Sequence, residues 1–264
     1  MVIDIHTHAF PDPIVSRAME VLIGNSGLQP FTDGTYGGLR DSMKRAGVDL
    51  SVIAPIATKP AQARGVNRCA VEINKANDGL ISLGSLHPEQ DDWRSEIDGL
   101  VANKIKGVKF HPDYQEFYVD EPRLIPVYRA LAEAELIVLF HAGVDIGLAP
   151  PVHCTPDRLA SVLDAVPELT VIAGHMGGYK RWDDVRKYLV GRDLFFDTSF
   201  SRADLGDKAM ASLMREHGVD KMLFGTDSPW TDQEAEVEGI RALGFNKDEQ
   251  CAILGGNAAK LLGL

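Results

Sequence analysis

Short apolar runs and longer amphipathic stretches alternate along the whole chain. The runs fall at Val2–His8, Leu50–Pro55, Ile81–His87, Ile105–His111, Leu136–His141, Leu169–His175, Leu194–Thr198 and Lys221–Asp227. Each is short and rich in Val, Ile, Leu or Phe, as strands buried on both faces are. The intervening stretches carry apolar residues at helical spacing. Leu39–Ala46 stops at Gly47, and Pro122–Ala134 places Leu124, Val127, Tyr128 and Leu131 on one face. Thr155-Pro156-Asp157 has the form of a helix start, leading to Leu159, Leu163 and Val166. Lys180–Val190 and Lys208–His217 repeat the pattern, Gly24–Gly38 is expected to loop over the mouth, and Asp248–Leu262 to form a closing helix.

Eight strands alternating with helices predict an α/β fold of the (β/α)₈ TIM-barrel type. A doubly wound open sheet is the rival arrangement of the same elements. No linker, charge block or internal repeat interrupts the pattern, so residues 1–264 are read as one barrel domain. That length is usual for such a barrel.

Composition narrows the function classes. A net charge of −11 with no basic run argues against a nucleic-acid partner. No apolar stretch approaches the ~20 residues of a membrane span. The first residues run into a strand without a basic leader, and the three cysteines, Cys69, Cys154 and Cys251, are scattered. Both features fit a cytoplasmic protein with buried free thiols. A homodimer is expected on base rates alone.

The histidines change the picture most. Six of the eight (His6, His8, His87, His111, His141 and His175) stand at or beside the C-terminal end of a predicted strand. In a barrel, that face gathers catalytic residues from separate strands. His6 and His8, two apart, project to one side and make half of a site for a divalent ion. His141, His175 and Asp227 end three further strands, flanked by small residues. His87 and His111 precede proline and are read chiefly as turn formers, and His217 as a helix C-terminal cap.

These residues, in the order Asp4-Ile-His-Thr-His8, Gly107-Val-Lys-Phe-His-Pro112, His141, Gly174-His-Met-Gly177, Phe224-Gly-Thr-Asp-Ser-Pro229 and Asn257-Ala-Ala-Lys-Leu-Leu262, resemble the amidohydrolase superfamily. The resemblance is closest to the branch of aminocarboxymuconate-semialdehyde decarboxylase, aromatic-acid decarboxylases and lactonases, and within it to bacterial metal-dependent hydrolases. It implies one divalent metal ion on His6, His8, His141 and Asp227, with His175 beside the activated water and Asp227 moving its proton. Zinc is the first expectation, and manganese or iron suit the same ligands.

Lys109 stands where many members of the superfamily carry a carboxylated lysine or a glutamate. It is read as a cation for a substrate carboxylate; carboxylated, it would hold a second ion. His111, Tyr114 and Trp230 are expected to contact substrate; Lys59, Asp113, Asp145, His153 and Arg202 are weaker candidates. The leading expectation is hydrolysis of a C–N or C–O bond in a small organic acid. The alternative is metal-dependent decarboxylation of an aromatic or unsaturated acid. A TatD-like nuclease and a metal-binding barrel without turnover rank third.

Overall fold

The computed structural model describes residues 1–264. Nine strand segments run in chain order: β1 (Ile3–Thr7), β2 (Leu50–Ile53), β3 (Leu80–Ser82), β4 (Gly84–Ser85), β5 (Gly107–Phe110), β6 (Ile137–Phe140), β7 (Val171–Ala173), β8 (Phe195–Asp197) and β9 (Met222–Leu223). Every pairing is parallel, in the orders β1-β2-β3 and β4-β5-β6-β7-β8-β9. The segments β3 and β4 are halves of one strand broken at Leu83, whose N–H still donates to the Ile53 carbonyl (2.9 Å).

The remaining seam is closed by Ile5 N–H donating to Phe224 O (2.9 Å) and by the parallel bridge between Thr7 and Ser228. Eight strands therefore close on themselves, and the (β/α)₈ barrel, not the open sheet, is the fold.

Every expected strand is present but shorter than its apolar run. The residues beyond each C-terminal end leave the ladder to form the mouth. His175 (φ 59°) and Asp227 (φ 68°) have left-handed backbones that no strand accommodates. Gly24–Gly38 is only partly a loop. A helix over Asp12–Ser26 takes its first residues and one over Tyr36–Ala46 its last, with Thr35 Oγ1 accepting the Gly38 N–H at the second helix's start. The C-terminal expectation corresponds to Lys247–Cys251 and Asn257–Leu262, joined by a wider π turn.

Two apolar layers hold the barrel. A large cluster, including Val108, Val138, Phe140, Leu159 and Phe196, packs strands against helices. A smaller one fills the interior with Ile5, Val52, Leu83, Leu139, Ile172 and Leu223, and Ala258 and Leu262 of the last helix join it.

Of the cysteines only Cys154 is buried; Cys69 and Cys251 are exposed. His217 is no cap. Its ring stacks on Phe196 (3.8 Å), its Nε2 donates to Leu194 O (2.9 Å), and it ties its helix to a strand. No helix is long and apolar enough to cross a membrane.

Candidate metal centre at the barrel mouth

The site begins with an irregularity in β1. Its register against β2 slips between Asp4 and Thr7. An extra residue in a strand turns the following side chains over. Ile5 joins the interior cluster, yet His6 also reaches inside, where its Nε2 lies 2.9 Å from Lys109 Nζ. His8 follows two residues later, its ring edge-on to that of His6 (5.2 Å).

The segment after β9 is laid beside β1 by two bonds. Asp227 N–H donates to His6 O (2.8 Å) and His8 N–H to Ser228 O (2.6 Å). This brings Asp227 Oδ1 to 3.0 Å from His8 Nε2 and 3.5 Å from His6 Nε2. Ligand atoms of His6, His8 and Asp227 thus lie within 4.8 Å of one another. Gly225 keeps this approach loose, since a Cβ on it would stand a tight 3.1 Å from that of His6.

His141, the fourth expected ligand, belongs to an adjoining group with His111 and Asp145. Its ring stacks on His111 (4.0 Å), its Nδ1 is 2.9 Å from His175 Nε2, and its Nε2 is buried without a partner. His175 meets His6 at a ring separation of 5.1 Å, so the two groups are continuous.

The electrostatics suit a cation. Burial and the neighbouring Lys109, opposed by Asp197, depress His6 to about 3. His141 is held well below its usual value by burial and by the adjacent His111 and His175. Both imidazoles are therefore neutral at pH 7, as ligands must be. Burial would raise Asp227, but its bond to His8 and the nearby His6 and His175 outweigh that and keep it ionised. Neutral nitrogens and a carboxylate converging in a buried mouth, with one imidazole nitrogen left unpartnered, fit a divalent ion.

Lys109 is wholly buried, with burial lowering it to about 8 against the pull of Asp197 and Asp227. It touches His6, not the open mouth. His111 receives the Tyr114 N–H on Nδ1 (3.3 Å) and points Nε2 at Asp145 Oδ2 (3.1 Å), while the Tyr114 ring stands against its face (4.5 Å). Trp230 is held next to the centre by its N–H donating to Asp227 O (2.9 Å).

Other candidates are occupied elsewhere. Asp113 accepts from His153 Nδ1 (2.8 Å) and fastens two mouth loops. Arg202 is engaged by Glu236 and Asp207, and Lys59 is exposed. Sequence reasoning missed Asp197 and Ser199. Asp197 Oδ2 lies 2.8 Å from His6 Nδ1, and Ser199 Oγ 3.0 Å from His175 Nδ1. The signal was available, since Phe195-Phe-Asp197 ends an apolar strand with a carboxylate, as Asp227 does.

Similar solved structures cover nearly all of the chain. The 5-carboxyvanillate decarboxylase LigW from Sphingomonas paucimobilis matches with a TM-score of 0.77 and 17% identity, over 100% of this chain and 99% of that one. A 2,6-dihydroxybenzoate decarboxylase from Rhizobium gives 0.74 and 16%, over 99% and 98%. The 5-carboxyvanillate decarboxylase from Novosphingobium aromaticivorans, complexed with manganese and 4-hydroxy-3-methoxy-5-nitrobenzoic acid, gives 0.74 and 16%, over 100% and 96%. At such identities these likenesses speak for the shared fold. No curated protein matches the chain. The model of one family, described as amidohydrolase, matches residues 3–264, and it spans every strand end that carries a histidine or carboxylate of the centre. On that match the chain belongs to the amidohydrolase family.

Proposed function

We propose that the protein is a metal-dependent carboxy-lyase that removes CO₂ from a small aromatic acid. The observation that carries this reading is Lys109 Nζ lying 2.9 Å from a candidate ligand, His6 Nε2. A buried cation beside a cation site is costly unless an anion joins them. A substrate carboxylate is that anion. The structural likeness to decarboxylases of carboxyvanillate and dihydroxybenzoate supports the same class. This departs from hydrolysis, the leading expectation from sequence.

We assign the ion to His6, His8 and Asp227, with His141 completing the set from the adjoining group. Manganese is the first choice, by likeness to the manganese-bound decarboxylase, and zinc suits the same donors. When bound, the ion polarises and orients the carboxylate and draws off negative charge. With His6 Nε2 holding the ion, Lys109 would offer its charge to the substrate carboxylate. His111, Tyr114 and Trp230 border the ring. The bond between ring carbon and carboxyl breaks, its electron pair stays on the ring carbon, and that carbon takes a proton relayed through Asp227 with His175 beside it. CO₂ departs, and the charge lost from the carboxylate is balanced by that proton.

Hydrolysis of an amide or lactone remains the second reading, favoured by family membership. Protein loaded with manganese or zinc and incubated with hydroxylated benzoic acids, amides and lactones separates the two. Release of CO₂ with formation of the decarboxylated arene supports the proposal. Ring or amide opening without CO₂ overturns it in favour of hydrolysis.

A further inference from the structure

We infer that Asp197 is a positioning residue for the metal centre, fixing the tautomer in which His6 presents the Nε2 lone pair to the ion. The inference rests on His6 being a ligand, as proposed above. Asp197 ends β8 and is wholly buried. Its Oδ1 accepts the backbone N–H groups of His175 (2.9 Å) and Ser199 (3.1 Å) and the Ser199 hydroxyl. These donors leave Oδ2 facing His6 Nδ1 at 2.8 Å, so that nitrogen must carry the proton.

The other side of the ring agrees independently. Nε2 lies 2.9 Å from Lys109 Nζ, and a lysine nitrogen that carries protons needs a lone pair opposite.

Ser199 extends the device to His175. With its hydrogen directed to Asp197, the hydroxyl oxygen turns lone pairs towards His6 Nδ1 (3.1 Å) and His175 Nδ1 (3.0 Å). Ser199 O lies 3.2 Å from the same His175 nitrogen, so this ring too is protonated at Nδ1 and its Nε2 lone pair faces His141 Nδ1 (2.9 Å). His6, His175 and Asp197 are close enough together to suggest a second ion site. The imidazole atoms facing inward there carry hydrogens, which would repel a cation. The trio sorts tautomers; it does not bind metal.

The test reads tautomer and affinity separately. In metal-free protein labelled with ¹⁵N-histidine, long-range ¹⁵N–¹H spectra should show His6 protonated at Nδ1. D197N, which offers an amide in place of one oxygen, should shift His6 towards the Nε2-protonated form. It should weaken Mn²⁺ or Zn²⁺ binding, measured by chelator competition, by about 10–100-fold. S199A, which keeps the carboxylate, should stay within about threefold of wild type, well short of the usual loss at an outer-shell partner. A wild-type His6 protonated at Nε2, or D197N binding metal as tightly as wild type, overturns the inference. Wild type binding no ion would instead remove His6 as a ligand, a result the chelator arm alone reports. If D197N does not fold, the wild-type spectrum decides.

Discussion

Replacing Asp4 tests whether the centre depends on the seam that closes the barrel. Asp4 is wholly buried, on β1 before the bulge. Its Oδ2 accepts from Thr226 Oγ1 (2.6 Å) and Gln233 Nε2 (2.7 Å), and its Oδ1 from Thr226 N–H (3.0 Å) and His6 N–H (3.3 Å). One carboxylate thereby joins the first strand to the turn that carries Asp227 and to the helix Gln233–Ala242. In Asp4→Ala four buried donors lose their acceptor. The two short side-chain bonds dominate, and leaving their donors buried and unpaired costs about 1–3 kcal/mol each, so a total near 4 kcal/mol is expected.

Asp4→Asn should cost less, about 2 kcal/mol. Gln233 Oε1 is buried without a partner, so turning that amide lets it accept from the new NH₂ group. Urea unfolding of metal-free protein, followed by tryptophan fluorescence, measures both. An Asp4→Ala loss below about 1 kcal/mol, less than one such unpaired donor, would refute the reasoning. So would an Asp4→Asn loss exceeding it.

Three further outcomes follow from the centre. Asp227→Asn should lower turnover at least about 10³-fold, because it removes both a ligand charge and a proton carrier; initial rates of CO₂ release check this. Lys109→Met should tighten metal binding in a chelator titration by freeing His6 Nε2, yet raise KM for the acid about tenfold by removing one charge-assisted contact. Asp197, although burial would raise it, and Asp227 are both held below the usual carboxylate range by their histidine partners. Their stabilisation is therefore present at neutral pH and lost as pH falls below about 4, where the unfolded chain begins to take up protons. Acid-unfolding curves of the metal-free protein should show that loss, and Asp227→Asn should flatten it.

The fold was legible because most strands are apolar on both faces and the helices apolar on one, so period and order sufficed. Strand ends were less so. His175 and Asp227 continue apolar runs, and only their positive φ shows that they have left the sheet. The pairing of His6 with Asp227 was anticipated from two motifs at opposite ends of the chain. The place of His141 at a strand end was anticipated too, but not its ring's orientation, since spacing cannot say that the ring stacks on His111 and turns Nδ1 to His175. Arg202 illustrates the same limit. A cation near a strand end looked free, but Glu236, distant in sequence, engages it. Asp197 has no neighbouring histidine in sequence to mark it, although it ends an apolar strand as Asp227 does.

The charges around His6 bear on what the mouth accepts. With His6, His111 and His141 kept neutral by burial, Asp145, Asp197 and Asp227 contribute three negative charges and Lys109 one positive, leaving two negative charges at the mouth. A divalent ion balances them. A monoanionic acid is then held by local pairing, its carboxylate between the ion and Lys109, and not by a net positive charge of the centre. On the decarboxylation reading proposed above, that pairing favours acids with a carboxylate placed to reach both Lys109 and the ion held by His6, His8 and Asp227.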